Sequence, residues 1–335
     1  MAAQSGNPIY TVYIVSGSLK INVTPALISL DRSEPDGQMA QRATILLRNV
    51  LVNGSWLTSI LAPRNRVFVY ADDGSSKDEV FRGYLWRRSY NSSLNEQEIE
   101  YTCYDNLIYF QESEDSLYFS SGKSTEDVCA SICNTWGVKM QYNYSSITHA
   151  KLPLRGKLSD IFTADLLDLV KKRNGTKYVI LSDKDTMHIK TVGSNSTIYR
   201  FVAGKNVTSV GSGWTMEGMI TKVVIVGKAD DNERRPIEAT VSGDTDQYGT
   251  LQKIVERGEN TSLADAKLEA QTTIDEEGKP TWEYRITAPD IPWIRKGDKV
   301  YVNAGDVANR YLIVKETDRT ADKRTRKMTL TLEDL

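Results

Sequence analysis

The sequence is short of the residues that catalysis, metal binding and secretion draw on. It holds two histidines, His149 and His188, and three cysteines, Cys103, Cys129 and Cys133, in 335 residues. An odd, small cysteine count fits a reduced compartment without a disulfide framework. Cys129 and Cys133 stand four apart on a predicted helix and share a face. They read as small buried thiols, because a metal centre needs more ligands than two. His149 lies in the polar stretch YSSITHAKL and His188 within an alternating strand, so both read as ordinary surface or strand residues. No apolar run nears the roughly 18 residues that span a bilayer. The longest, such as Val223 to Val226, are strand-sized. The first fifteen residues have no basic n-region and no apolar h-region. Synthesis in the cytoplasm, without a membrane anchor, is expected.

Neither sign of charge is in excess: 42 Lys and Arg stand against 44 Asp and Glu, net −2. A dedicated nucleic-acid binder carries a basic surplus. The sequence also lacks a G-x-S-x-G elbow, an H-E-x-x-H helix and a glycine-rich phosphate loop. Paired carboxylates could run glycosidic chemistry by themselves. The candidates are Glu112, Glu114 and Asp115; Glu126 and Asp127; and Asp230, Asp231 and Glu233. Each group lies in a predicted loop or cap, and a chain with 44 acids makes such clusters by chance. No catalytic, cofactor-binding or metal-ligating residue is assigned, and no enzyme is expected.

What is present is a globular composition, 40% apolar and 26% charged, in a chain long enough for two or three domains. Leu19, Ile21 and Val23 alternate with polar neighbours, as do Ala43, Ile45 and Leu47; period two marks strands with one buried face. Pro35-Asp36-Gly37, Asn53-Gly54 and Asp72-Asp73-Gly74 are turns. After Phe110 the period changes. Ser124 with Asp127 resembles a capping box, and Val128, Ile132 and Trp136 follow at helical spacing. A second helix starts near Ser159 with Phe162, Leu166, Leu169 and Val170 as its stripe. Lys171, Lys172 and Arg173 close it, complementing the helix dipole rather than binding nucleic acid. A hairpin follows over Tyr178 to Leu181 and Thr186 to Val192. From Tyr199 strands return: Met219 to Gly227 is β-branched, Thr240 to Thr250 reads as an extended loop, and a helix runs from Ser262 to about Ile274. The N-x-S/T triplets at Asn22, Asn53, Asn174 and Asn206 read as strand and turn chemistry, not glycosylation. The expected class is mainly β with α+β: a first β domain over 1–115, a small α+β domain over 116–198, and a second β domain over 199–335.

The two β regions echo each other. The first ends RVFVY (Arg66 to Tyr70), EVFRGYLWRRSY (Glu79 to Tyr90) and EIEYTCYD (Glu98 to Asp105). The second ends KVYVN (Lys299 to Asn303), NRYLIVKETDR (Asn309 to Arg319) and KMTLTLED (Lys327 to Asp334). Each copy is a strand, a turn, a longer strand ending in charge, a polar loop and a strand ending in an acid. A duplication predicts two versions of one barrel-like module, whose closed sheets would hide their edges. Tyr84, Trp86 and Tyr90, and Trp282, Tyr284 and Trp293, are aromatics open to two readings: interface or barrel core. Trp136, Tyr142 and Tyr144 are the aromatics from which a sugar-binding face could be built, although Trp136 lies on the helix stripe and reads as core.

Three stretches carry a family resemblance: Val67 to Ser113; Ser124 to Val138 with Leu158 to Ile180; and Met219 to Lys228 with the helix from Ser262 and Gly297 to Arg319. In this order they resemble the XkdQ/YqbQ proteins of Gram-positive prophages and, more distantly, late-control gene D and contractile-tail baseplate-hub proteins. The resemblance implies two tail-tube-like β-barrels in a structural hub subunit of a phage tail or tail-like bacteriocin. It implies a homotrimeric ring, pseudo-sixfold because each chain presents two similar surfaces. The implied partners are the tail tube protein, the central spike, the tape-measure protein and baseplate wedge proteins. DNA would be met only in transit, through a lumen that is not basic. The alternative is a peptidoglycan-binding or peptidoglycan-hydrolysing tail protein.

Overall fold

The computed structural model describes residues 7–93, 97–229, 233–258 and 261–335. Strands predominate, and the chain divides into two compact units: Met1–Gly211 with Tyr284–Leu335, and Ser212–Glu283.

A thirteen-stranded sheet, most of its residues in the first unit, is the largest in the protein among the described residues. Its strands, in chain order, are β1 (Ile9–Ser16), β2 (Leu19–Asn22), β3 (Leu27–Glu34), β4 (Arg42–Arg48), β5 (Arg66–Asp72), β6 (Lys77–Ser92), β7 (Gln97–Tyr104), β8 (Arg200–Val202), β9 (Ser209–Thr215), β10 (Thr281–Pro289), β11 (Lys299–Ala304), β12 (Val307–Asp322) and β13 (Arg326–Asp334). The order across the sheet is β9-β10-β13-β12-β3-β4-β7-β6-β5-β1-β2, with β11 on β12 and β8 parallel to β11. Alternation drives the pattern: β5 buries Val67, Val69 and Ala71, and β11 buries Val300, Val302 and Ala304. Two closed barrels were expected, and no ladder among the described residues closes one. Each half instead wraps its own core. One holds Val12, Ile14, Leu30, Ile45, Val69, Phe81 and Tyr101. The other holds Phe201, Ile286, Val300, Val302, Leu312 and Leu330. Trp293 packs against both.

The helices between the halves form where capping and periodicity place them. Ser124 accepts from the Asp127 N–H at 3.1 Å and Asp127 accepts from the Ser124 N–H at 3.2 Å, a complete box with Asp in the usual place of Glu. The helix Thr125–Thr135 buries Val128, Cys129, Ile132 and Cys133. The second helix opens on Leu158–Asp160, widens to π geometry over Ile161–Leu167, and ends on Asp168–Asn174 with Lys171, Lys172 and Arg173 in its last turn. Gly175 closes it in the left-handed region at φ 66°. Tyr178–Asp183 and Thr186–Thr191 form the hairpin, turning on Lys184 and Asp185, both at positive φ as a tight hairpin turn requires.

In the second unit Lys222–Val226 is the central strand, antiparallel to Ile237–Ser242 and parallel to Gln252–Glu256. The helix Leu263–Glu277 covers Val223 and Ile225 with Ala266, Ala270 and Ile274. The extended loop expected over Thr240 to Thr250 is therefore partly strand. β-Branched Ile237, Thr240 and Val241 pair with the central strand, and only the tail of the segment turns.

Candidate assembly interface

The echo between the β regions is a repeat of hydrogen-bond register. In the first region Leu85 faces Cys103, Arg87 faces Thr102 and Ser92 faces Gln97, with a bulge between Leu85 and Arg87. In the second Val314 faces Leu332, Glu316 faces Thr331 and Ala321 faces Arg326, with a bulge between Val314 and Glu316. The numbering offset is the same at every one of these pairs, bulge included. The flanking ladders repeat too. Val67 faces Gly83 as Val300 faces Leu312. Ala43 faces Cys103 as Tyr284 faces Leu332, and Leu47 faces Ile99 as Ala288 faces Met328. Strands β3, β4, β5, β6 and β7 thus correspond to β9, β10, β11, β12 and β13. A bulge re-aims a strand, and its retention at one place in both copies preserves a bend as well as a pattern.

The copies differ at their long strands. β12 has β11 along its first half and β3 along its second, from Thr317 facing Glu34 to Asp322 facing Ser29. β6 has β5 along its first half, from Lys77 to Tyr84, and no partner strand on that side beyond it among the described residues. From Trp86 to Ser92 every residue of β6 is exposed, Trp86 at 40% and Tyr90 at 43%.

The filled junction is held by buried charge. Arg32 of β3 lies directly opposite Arg319 of β12, a like-charge pair that repels unless an anion intervenes. Asp290 supplies it. Its carboxylate lies 3.2 Å from Arg319 Nε, out of line for a hydrogen bond, and accepts from the Tyr10 hydroxyl. Tyr10 in turn accepts from Arg32 at 3.0 Å. Arg319 also donates to Thr317 Oγ1 at 2.8 Å and to the Ile294 carbonyl. Burial, reinforced by Arg32, lowers the Arg319 pKa, while burial lifts that of Tyr10 to about 12. Beside it Glu34 accepts from Arg295 Nε at 2.7 Å and from the Lys296 N–H at 3.0 Å. Burial works to raise the Glu34 pKa, but the Arg295 charge and hydrogen bond, with help from Arg319, hold it at about 2. Asp105 is fully buried, accepts from the Gln41 and Leu107 N–H groups at 2.9 Å each, and is pushed up by burial to about 7.

A cavity of about 540 Å³ lies beside β5 and β6, lined among others by Arg64, Arg66, Arg82, Tyr84, Tyr109 and Trp136. Its cations are largely spent within the protein. Arg66 and Arg82 meet Asp185 at 2.5 and 3.3 Å, Arg82 also meets Glu79 at 2.5 Å, and Lys184 meets Asp78 at 2.8 Å. The hairpin tip is thereby pinned to β5 and β6.

Among the described residues, the acids singled out in the sequence form no metal-holding group. Glu112 and Glu114 are exposed, and Asp115 accepts from the Trp136 indole at 3.3 Å. Asp127 is the capping acid, with Glu126 beside it in the first turn. Glu233 is exposed, and Asp230 and Asp231 lie outside the described residues. His149 is buried against Thr125 Oγ1 at 2.8 Å rather than on the surface, and burial lowers its pKa. His188 is half-buried in its strand, its pKa also lowered by burial. All three thiols are free and buried, and burial raises each pKa. Of the aromatics, Tyr284 is core, Trp293 donates to Asp73 at 2.6 Å, and Tyr84 walls the cavity, while Trp86, Tyr90 and Trp282 are exposed. Tyr142 and Tyr144 are half-buried and donate to the Ser145 and Thr176 carbonyls, so they form no open stacking face. Sequence reasoning missed the junction residues Arg32, Glu34, Asp290 and Arg295. None of them carries a local signal: Asp290 and Arg295 lie outside the strands, and β3 loses its alternation where Arg32 and Glu34 stand. Among the described residues no helix is long and apolar enough to cross a membrane.

A model of the YQBQ-like family matches residues 59–333. The chain belongs to that family. No curated protein matches the sequence. Among solved structures, this YQBQ-like chain is similar to a tail protein from Neisseria meningitidis, at 12% identity and a TM-score of 0.71, covering 97% of this chain and 96% of that one. It is similar to the 43 kDa tail protein of prophage MuSo2 from Shewanella oneidensis, at 14% identity and 0.71, covering 97% and 98%. It is also similar to the E. coli c3393 protein, described as a type VI secretion component resembling bacteriophage T4 tail proteins gp27 and gp5, at 10% identity and 0.57, covering 92% and 74%. At such identities the likeness shows the fold, and the fold is that of phage tail proteins.

Proposed function

We propose that the protein is a structural, non-enzymatic hub subunit of a contractile tail or tail-like particle. Three copies form a ring whose six β modules match a sixfold tail tube on one face and a threefold spike on the other. The observation that carries this reading is the repeated register: a chain with two copies of one ladder presents two equivalent surfaces, as a threefold ring needs to meet a sixfold partner. Family membership and the fold shared with tail proteins support it. In this reading 1–115 and 199–335 are barrel-derived modules flanking the α+β region 116–198. The protein sits in the baseplate, beside tube, spike, tape-measure and wedge proteins, around a lumen that is not basic. No specific observation favours the peptidoglycan reading: of the described candidate acids, Asp127 caps a helix and Asp115 accepts from the Trp136 indole.

The test is immunogold labelling of particles from a producing cell with antibody to the full chain. Label at the distal end of the tail is expected. Label along the tube, or none on particles, contradicts the reading.

A further inference from the structure

The exposed half of β6 is a strand edge whose counterpart in the second module is occupied. Within one chain, β3 of the first module docks along Thr317 to Asp322 of β12. The equivalent stretch of β6 runs from Arg88 to Ser92 and has no partner strand on that side among the described residues, although the Arg88 guanidinium donates to the Thr58 carbonyl at 3.2 Å. The second module has its own equivalent of β3, namely β9, which ends the sheet order and has β10 as its one partner strand among the described residues. Each module therefore has a donor strand and an acceptor edge, and one chain satisfies one of the two junctions. Among the described residues the chain's own β9 is not paired with β6. An exposed edge invites pairing with another chain, and proteins block such edges unless they are used. This edge is lightly protected: Arg88 to Ser92 contains no proline and one charged residue, Arg88, and the bulge lies before it, at Leu85 to Arg87.

From this repeat we infer that β9 of one copy adds to the β6 edge of the next, reproducing between chains the β3–β12 junction made within each chain. The contact is head-to-tail, so it closes into a ring when the rotation per module allows. A ring of three would hold six equivalent junctions, three inside chains and three between them. The count of three rests on the hub reading above; the strand pairing does not. The register follows from the repeat. Thr208 N–H donates to the Thr287 carbonyl at 2.8 Å, and Thr287 is the counterpart of Leu46, which faces Ser29. The residue after Ser29, Leu30, faces Ala321, whose counterpart is Ser92. Ser209 of one copy then comes opposite Ser92 of the next, with the β9 segment Ser209–Gly211 running antiparallel to β6.

Full-length chains carrying Ser92→Cys or Ser209→Cys test this. Both serines are exposed, and the native thiols are buried. Under mild oxidation, a mixture of the two variants is expected to give a disulfide-linked dimer as its main product. The doubly substituted chain should give a ladder ending at trimer. Lys20→Cys mixed with Ser209→Cys should give no product above background. A chain that sediments as a trimer yet gives no Ser92–Ser209 link overturns the strand pairing and leaves the ring. Linkage of Ser92→Cys chains to each other, in place of the mixed product, shows a two-fold interface and overturns the head-to-tail contact. A chain that stays monomeric at its highest soluble concentration, with no link formed, overturns the self-pairing. The gold-labelling test of the hub reading stands independently of all three outcomes.

Discussion

On β12, Thr317 and Arg319 are shut inside the ladder to β3; on β6, their counterparts Arg88 and Tyr90 face solvent. The two strands share a register, a bulge and a partner hairpin. What separates them is occupancy of one edge. The side chains follow that occupancy. The filled edge carries a network of Arg32, Arg319, Asp290 and Tyr10, with Glu34 and Arg295 beside it, whose charges are tolerable only while all partners are present. The open edge carries Ser89, Asn91 and Ser92, which cost little in water. A duplicated module has thus diverged into one internal junction and one external edge.

The sharpest way to break the comparison is to unbalance the filled junction. Asp290→Asn leaves Arg319 and Arg32 facing each other without an anion, and removing one member of a buried ion network costs about 3–5 kcal/mol. Urea unfolding of the full chain should show that loss, whereas Tyr90→Ala on the open edge should stay within about 1 kcal/mol in the monomer. Equal effects at the two sites would remove the distinction between them.

A smaller effect separates the hairpins themselves. A Cβ at Gly83 would lie 2.1 Å from the Tyr104 carbonyl oxygen, because β6 and β7 approach closely there. Its counterpart on β12 is Leu312, buried without such a restriction. Gly83→Ala is expected to cost about 1–3 kcal/mol as overpacking, read as a lowered urea midpoint. Leu312→Ala would destabilise by the opposite route, a cavity.

Next in size is a pH effect. Asp105 is held near 7 when folded, above its unfolded value, so the folded state binds the extra proton between about pH 4 and pH 7. Its stabilising contribution is full below that window and is lost as pH rises through 7. Glu34 works oppositely: its depressed pKa gives stability above about pH 4.5 that is lost as pH falls toward 2. Melting temperature should therefore decline from pH 5 to pH 8 in the parent, and the decline should flatten in Asp105→Asn. An unchanged slope would remove Asp105 as its source.

Local chemistry was legible in the sequence. The capping box at Ser124, the basic last turn ending at Arg173 and the hairpin at Lys184-Asp185 are set by neighbours in the chain, and they stand where spacing places them. The echo was visible as alternation, since core-facing residues keep their period through divergence. The joining of both β regions into one sheet was not legible, because that depends on which distant strands meet. Nor was the pairing of Ile237–Ser242, whose polar alternation resembles a loop until the strand Lys222–Val226 is placed beside it. The junction charges were illegible for the same reason. Arg32, Asp290 and Arg319 are far apart in sequence, and nothing local distinguishes them from solvated charge. The exposed half of β6 did leave a trace: after Leu85 and Trp86 the strand turns polar, with Arg87, Arg88, Ser89, Asn91 and Ser92.

The account turns on what covers Arg88 to Ser92, and electron cryomicroscopy of the assembled ring measures that directly. The prediction is three copies, with β9 of each neighbour laid antiparallel along β6, Ser209 opposite Ser92, in the geometry β3 adopts on β12. A ring in which Arg88 to Ser92 remains open to solvent, or is covered by any segment other than β9, would contradict it.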